Sequence, residues 1–445
     1  MTFRDLNLNT ALWNALDDLG FTTPTDIQKD SFSSIMAGKD VLGIAKTGTG
    51  KTLAYLMPII RLHQFSKKKT PWVLIVVPTR ELVLQVHEEF CALAKYTSLK
   101  SVAAYGGANI KTQVAEIALG ADVVIGTPGR LNDLVLNGAV PAKGIKKFVL
   151  DEVDQMLSLG FRTELKHLMD LLPEKRQNIM FSATMTEEVE ELIKTEFIFT
   201  EKIETAPSGA PVEKIEQVAF PVPNFSTKLN FLAYLLHRDT DMHKVLVFAG
   251  TKKFADRIYS SLVDQFEDQI AVIHANKNAN RRFNTVDDFE AGRCRILIAS
   301  DVLARGIDVT DVTHVINFTI PEVPEDFVHR IGRTGRAEKS GKAISFVSPM
   351  EEERMFHIEE LMKMEIPIAA MPEEVEVSTL LTPEEESKPG MRIKLPKLPN
   401  DPLKGAAFHE KLEKNKKVPM KVTRADKMKL KYGRNYQGGH GGGTR

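Results

Sequence analysis

Two α/β domains in tandem, each a parallel sheet covered by helices on both faces, with a flexible basic tail behind them, are what the sequence predicts. Three observations carry this. The 445 residues exceed what one compact core accommodates and suit two or three domains of ~100–200 residues each. Short runs rich in Val, Ile and Phe alternate with longer segments of helical apolar spacing, the pattern of parallel strands joined through helices. Nearly every such run in the first half ends in a polar, charged or Gly-containing tetrad, and open parallel sheets bind their ligands at the carboxyl ends of the strands.

In chain order, the strands of the first half are expected at residues 41–44, 72–77, 101–105, 122–125, 148–150 and 178–181, followed by AKTG, PTRE, GG, TPGR, DEVD and SAT. A break rich in Pro and Gly, APSGAPVEK, reads as a linker over residues 206–215. Strands are then expected at 245–248, 271–274, 295–299, 314–318 and 343–347, with HRIGRTGR on the helix after Phe318. The domains are thus 1–205 and 216–370, and residues 371–445 read as an acidic, then basic, largely disordered tail.

Composition narrows the function. Hydrophobic residues make up 43% and charged residues 27%, an ordinary soluble balance, and runs such as residues 73–77 are too short to span a bilayer. The first residues lack the basic start and apolar stretch of a signal peptide, so a cytoplasmic location is expected. The two cysteines, Cys91 and Cys294, do not form a C-x-x-C pair and read as reduced bystanders. A formal net charge of zero hides a polarity: residues 388–445 hold sixteen Lys and Arg against four Asp and Glu. Such a tail suits either an auxiliary grip on a polyanion or a solvated extension.

The strongest local signal is AKTGTGKT, Ala45, Lys46, Thr47, Gly48, Thr49, Gly50, Lys51 and Thr52, between a strand and a helix. Glycines there let successive N–H groups curl around phosphate oxygens, the helix presents its positive end, Lys51 neutralises the β and γ phosphates and Thr52 can ligate Mg²⁺. FVLDEVD places Asp151 and Glu152 at the exit of a buried strand, where a carboxylate pair is costly without a cation. Asp151 suits the metal, usually through water, and Glu152 the water that attacks the γ phosphate; acids capping a helix that begins near Gln155 are the alternative. ATP and Mg²⁺ are the cofactors implied. Arg330, Arg333 and Arg336 recur every third residue and would present several guanidiniums together; either they pair with acids on a surface, or Arg333 and Arg336 serve as arginine fingers delivered by domain closure.

With these motifs the sequence resembles the DEAD-box ATP-dependent RNA helicases over residues 3–347. The resemblance implies two RecA-like P-loop-type domains that bind ATP and single-stranded RNA together, separate short duplexes locally and release them on hydrolysis. GFTTPTDIQ resembles the family's adenine-reading motif, with Phe3 upstream, Phe21 stacking on the base, and Thr23 and Gln28 beside it. Arg80, the Gly106–Gly107 pair, Thr127, Arg130, Thr251 and Ser300 resemble RNA-backbone contacts. Ser182 and Thr184, in SAT, resemble the segment linking ATP state to RNA binding, with His329 bridging to Asp154 or Ser182, and Asp308 would touch the ribose. RNA is the implied partner and no membrane is.

Several positions depart from the family pattern. Ala45 replaces the usual first Gly of the phosphate loop, Val153 the Ala of the name motif, and Ser300 keeps the hydroxyl of a usual Thr. Ala275 and Ala279 stand where the family has Gly and Gln, while Arg282 is kept; Leu303 for a usual Ala is unexplained. Loss of the Gln bears on coupling more than on ATP binding. Two other readings are an ATP-gated RNA clamp with little unwinding, and a DNA-translocating helicase on the same chassis, which the RNA-type motifs disfavour.

Overall fold

The computed structural model describes residues 2–45, 48–63, 70–197, 200–205, 215–274, 279–300, 309, 312–335 and 341–386. The tail from residue 387 lies outside the described residues, as do Lys46, Thr47, Ala275, Leu303, Asp308 and Arg336.

The first domain is built on seven parallel strands: β1 (Asp40–Ile44), β2 (Val73–Val76), β3 (Ser101–Ala104), β4 (Val123–Gly126), β5 (Lys147–Leu150), β6 (Gln177–Ser182) and β7 (Thr200–Glu204), in the spatial order β3-β4-β2-β5-β6-β1-β7. Strands β2, β4, β5 and β6 are buried along their whole length, which is why they read as continuous apolar runs. Two apolar clusters, one on each face, fill the space between this sheet and its helices. The second domain has six parallel strands: β8 (Ile215–Pro221), β9 (Val245–Phe248), β10 (Ile270–Ile273), β11 (Ile296–Ala299), β12 (His314–Asn317) and β13 (Gly341–Val347), ordered β10-β11-β9-β12-β13-β8. The fold class is the one expected.

The expected strands are present within a residue or two of their ends. Two more occur, and both are edges. β7 reads Thr-Glu-Lys-Ile-Glu, and β8 alternates buried and exposed positions before ending on Pro221; an edge strand tolerates charges and Pro that a central one does not. Ile215, assigned to the linker, is therefore already strand. Residues 371–386, assigned to the tail, lie instead against the second domain: Val375 is buried in its core, and Asn230 Nδ2 donates to the Glu376 carbonyl at 2.9 Å. Their few apolar residues, spread among glutamates, carry no period to signal this.

Two of the helices that follow site strands start on side-chain caps. Thr79 Oγ1 accepts from Leu82 N–H at the start of α4 (Arg80–Leu93), and Thr251 Oγ1 from Phe254 N–H at the start of α11 (Lys252–Phe266). Thr127 precedes α6 (Pro128–Leu136), whose first residue is Pro, the favoured type there. Caps of this kind each contribute ~1 kcal/mol. They also fix the strand-to-helix turns, so the helix N-termini face the carboxyl edge of the sheets.

Candidate nucleotide and RNA site

Between β1 and α3 (Lys51–Arg61) the backbone passes through Gly48 and Gly50, both at φ 81°, a conformation that a Cβ disfavours. Space is a second reason at Gly50: a Cβ there would lie 2.1 Å from Gln28 Nε2. Gln28, on α2 (Asp26–Met36), is buried; its Nε2 donates to the Gly50 carbonyl at 3.1 Å and its Oε1 accepts the Thr25 N–H at 3.0 Å. Thr25 Oγ1 donates to the Thr49 carbonyl at 2.8 Å. The residue expected at the adenine edge is thus also the tie between α2 and the phosphate loop. Thr25 was missed, although its place three residues before Gln28 is the spacing of a capping box.

A cavity of about 620 Å³ opens here, a size suited to a nucleotide. Phe3, Phe21, Thr23 and Gln28 line one part of it, the loop from Gly48 to Thr52 the middle, and Asp151, Glu152 and Arg333 the rest. Phe21 is 47% exposed, so an aromatic face stands free at the mouth. Ala45 is buried and takes its N–H to the Ser182 carbonyl at 3.1 Å.

Opposite the loop, Lys51 Nζ lies 3.0 Å from Glu152 Oε1, both largely buried. Burial opposes the ammonium, but Glu152, Asp151 and Asp154 outweigh it and raise the Lys51 pKa. For Asp151 burial dominates, the Glu152 charge adds to it, and the carboxyl is pushed up to about 6 despite Lys51. Its Oδ1 accepts the Glu152 N–H at 2.9 Å and its Oδ2 the Tyr55 hydroxyl at 2.9 Å. Tyr55 was also missed; it falls one helical turn after Lys51, on the same side of α3. Glu152 holds a left-handed backbone, φ 55°, ψ 51°, before α7 (Val153–Ser158), a conformation costing ~1 kcal/mol or more in a residue with a Cβ. Its Oε2 is buried without a hydrogen-bond partner. Neither acid caps α7 through its side chain.

Asp154, in the first turn of α7, joins the two domains. Its Oδ2 accepts from Thr184 N–H at 2.8 Å and Thr184 Oγ1 at 2.6 Å, and stands 3.5 Å from His329 Nε2 of the second domain. Burial alone would raise its pKa, but the His329 hydrogen bond and charge, then Lys51 and Thr184, hold it well below the usual carboxylate range. Of the two partners expected for His329, the contact forms with Asp154; Ser182 Oγ instead donates to the Thr184 carbonyl at 2.8 Å.

His329 sits on α13 (Pro324–Ile331), and the helix stops there. HRIGRTGR is therefore not all helical, and Arg330 and Arg333 do not share one helical face. Arg330 turns into the second domain, donating to Asn317 Oδ1 at 3.2 Å and the Thr319 carbonyl at 2.6 Å and lying over the Phe248 ring. Arg333, beyond the helix end, is buried and reaches the first domain's cavity. A further pair crosses the cleft: Arg282, on α12 (Ala279–Glu290), lies 3.1 Å from Glu81 of α4, both largely buried. Nothing in the spacing pointed to Glu81.

Along the other edge, the Arg80 guanidinium stacks over Tyr105 at 4.5 Å, beside Gly106 and Gly107. Arg130 donates to Gln113 Oε1 at 2.6 Å and the Ala108 carbonyl at 3.1 Å, so it braces the Gly106–Gly107 turn. Ser300, at the end of β11, is buried. Among the described residues no three His, Cys, Asp or Glu side chains gather as a metal cage. One buried carboxylate and one threonine fit Mg²⁺, which is commonly completed by substrate phosphates and waters.

Comparison with known proteins agrees with this layout. Residues 25–192 match the DEAD/DEAH box helicase family, and residues 227–338 the helicase conserved C-terminal domain. The DEAD-box ATP-dependent RNA helicase RhpA of Helicobacter pylori is 35% identical over 371 residues, 83% of this chain and 74% of RhpA. The human probable ATP-dependent RNA helicase DDX4 is 36% identical over 362 residues, 78% of this chain and 49% of DDX4; the chain spans about half the length of that relative. Among solved structures, S. cerevisiae Dbp5 bound to RNA and ADP BeF3 is similar with a TM-score of 0.76 at 28% identity, covering 83% of this chain and 96% of that one. Mss116p bound to ssRNA and AMP-PNP gives 0.75 at 26% identity, covering 84% and 80%. Identity at this level along most of RhpA's length settles the relationship: the chain belongs to the DEAD-box helicase family.

Proposed function

We propose that the chain is an ATP-dependent RNA helicase whose two domains close around ATP and single-stranded RNA. The observation that carries the reading is that His329 and Arg333 of the second domain lie against Asp154 and the phosphate-loop cavity of the first. A nucleotide site assembled from both domains is complete only when they are closed, so whatever stabilises closure promotes hydrolysis.

In this reading Phe21 stacks on the adenine, with Phe3 and Thr23 beside it, and Gln28 reads the base edge while holding Gly50. Residues 45–52 cradle the phosphates, with Lys51 on the β and γ groups. Mg²⁺ would be held by Thr52 and, through water, by Asp151, and would neutralise phosphate charge. Glu152, paired with Lys51 and released from it as phosphate takes the ammonium, accepts a proton from the attacking water. Arg333, with Arg336, meets the charge that develops on the γ phosphate, and Asp308 holds the ribose. Asp154, Ser182, Thr184 and His329 transmit closure.

RNA would lie across both domains on Arg80, Gly106, Gly107, Thr127, Arg130, Thr251 and Ser300, where helix N-termini offer N–H groups to phosphates. Such contacts read backbone and 2′-hydroxyls rather than sequence. A closed state fitting only a bent single strand would pry a short duplex apart. The test compares ATP turnover stimulated by RNA and by DNA of equal length, then measures separation of a short RNA duplex. RNA-selective stimulation with unwinding is expected. Stimulation without unwinding would indicate a clamp, and equal stimulation by DNA would overturn the reading.

A further inference from the structure

Residues 371–386 form a strap whose Thr382, Glu384 and Glu385 line a cavity together with Thr251. It runs along α10 (Phe225–Arg238): Asn224 Nδ2 donates to the Ser378 carbonyl at 2.6 Å, Ser378 N–H to Thr227 Oγ1 at 3.0 Å, and Ser226 Oγ to the Leu380 carbonyl at 2.9 Å. Two neighbouring glutamates, Glu384 and Glu385, do different things. Glu385 accepts the Phe225 N–H at 2.6 Å and the Thr382 N–H at 2.8 Å, which anchors the strap to the start of α10. Glu384 reaches across to α11, where it pairs with Lys253 and, at 3.5 Å, with Arg257.

Lys253 and Arg257 are one helical turn apart on a single face of α11, and Thr251 caps that same helix. Lys253 is 64% exposed and Glu384 36%. An ion pair so open to water adds little to stability, and the strap is already held by its backbone bonds and Glu385. The Glu384 carboxylate is therefore poorly explained as a fastening. Hydrogen bonding from Lys253 keeps its carboxyl low, at about 2, so it stays anionic. A carboxylate on a lysine and an arginine offers the same acceptor oxygens as a backbone phosphate.

We propose that Lys253 and Arg257 are an additional phosphate-binding patch for single-stranded RNA, continuing the path from Thr251, and that Glu384 competes with RNA for it. The proposal rests on the RNA-helicase reading. Displacement leaves the strap in place, since Glu385 and the α10 contacts do not depend on Glu384. The competition sets a threshold: RNA held weakly elsewhere does not engage the patch, whereas RNA held across both domains does.

The test uses the full chain and measures binding of a fluorescent single-stranded RNA, with a non-hydrolysable ATP analogue, across a salt series. Glu384→Gln should tighten binding about threefold or more at low salt and steepen the slope of log affinity against log salt by ~0.7. Glu386→Gln changes net charge equally two residues along the strap and should have a clearly smaller effect. In the Glu384→Gln background, Lys253→Ala and Arg257→Ala should each remove most of the gain. Equal gains from Glu384→Gln and Glu386→Gln, no gain from Glu384→Gln, or a gain that survives both alanines would each overturn the patch. Failure of the wild-type chain to bind RNA, or of RNA to stimulate its ATP turnover, would instead strike the underlying reading.

Discussion

The two halves of the nucleotide site are built differently. In the first domain Lys51, Asp151, Glu152 and Asp154 sit within one sheet edge, tied by Tyr55 and Thr184 and by a short ion pair. In the second, His329 comes from the last turn of a short helix and Arg333 from the turn beyond it. The first half is a preformed binding surface. The second is presented to it, and its position depends on how the domains sit. Binding and rate acceleration are thus expected to separate by domain.

Removing the second domain's contribution should give the largest effect. Arg333→Ala is expected to lower RNA-stimulated turnover ~10³-fold, as for arginine fingers in other nucleotide hydrolases, with ATP affinity changed by less than about fivefold. Normal turnover at saturating RNA would remove Arg333 from the site. Glu152→Gln, on the preformed side, should cost ~10²-fold or more in turnover while ATP and RNA binding persist, giving a long-lived complex. Keeping more than a tenth of wild-type turnover would deny it the role of base.

Asp151→Asn sharpens the same contrast through stability. Above pH about 6 the wild-type carboxylate is charged and buried, and a raised acid pKa means that this charged form costs folding free energy. Nucleotide- and metal-free Asp151→Asn protein at pH 7.5 should therefore be more stable, by of order 1–3 kcal/mol, yet hydrolyse ATP far more slowly. A lower melting temperature than wild type would contradict the burial argument. The smallest effect concerns the tail. Truncation after Ser387 should leave maximal turnover within about twofold but flatten the salt dependence of RNA affinity by ~0.7 for each phosphate that the tail had neutralised; an unchanged slope would rule out a tether.

How much of this was legible in the sequence follows from burial. Central strands are wrapped on both faces and announce themselves as apolar runs, whereas β7 and β8 keep one edge in water and carry charge or proline. Motif positions around the phosphate loop were legible because a polar group at the end of a buried strand demands a ligand. What spacing could not give was direction. Arg330 and Arg333 look alike at an interval of three, yet the helix ends between them and sends one guanidinium onto Phe248 and the other to the cavity. Glu81 and Arg282 lie in different domains, and no local pattern joins them. The strap was illegible because its attachment is largely hydrogen bonding to backbone carbonyls, which any sequence supplies.

Among the described residues, none of the five buried apolar clusters contains side chains from both domains, and the contacts named above between His329 and Asp154 and between Arg282 and Glu81 are polar. Closing the domains should therefore add little to the heat-capacity change of ligand binding, because burial of apolar surface is what makes that term large. The binding enthalpy should vary only weakly with temperature. A clasp of this kind keeps its strength in the cold, where hydrophobic contacts fade, and its pairs, being largely buried, are screened by salt less than surface pairs are.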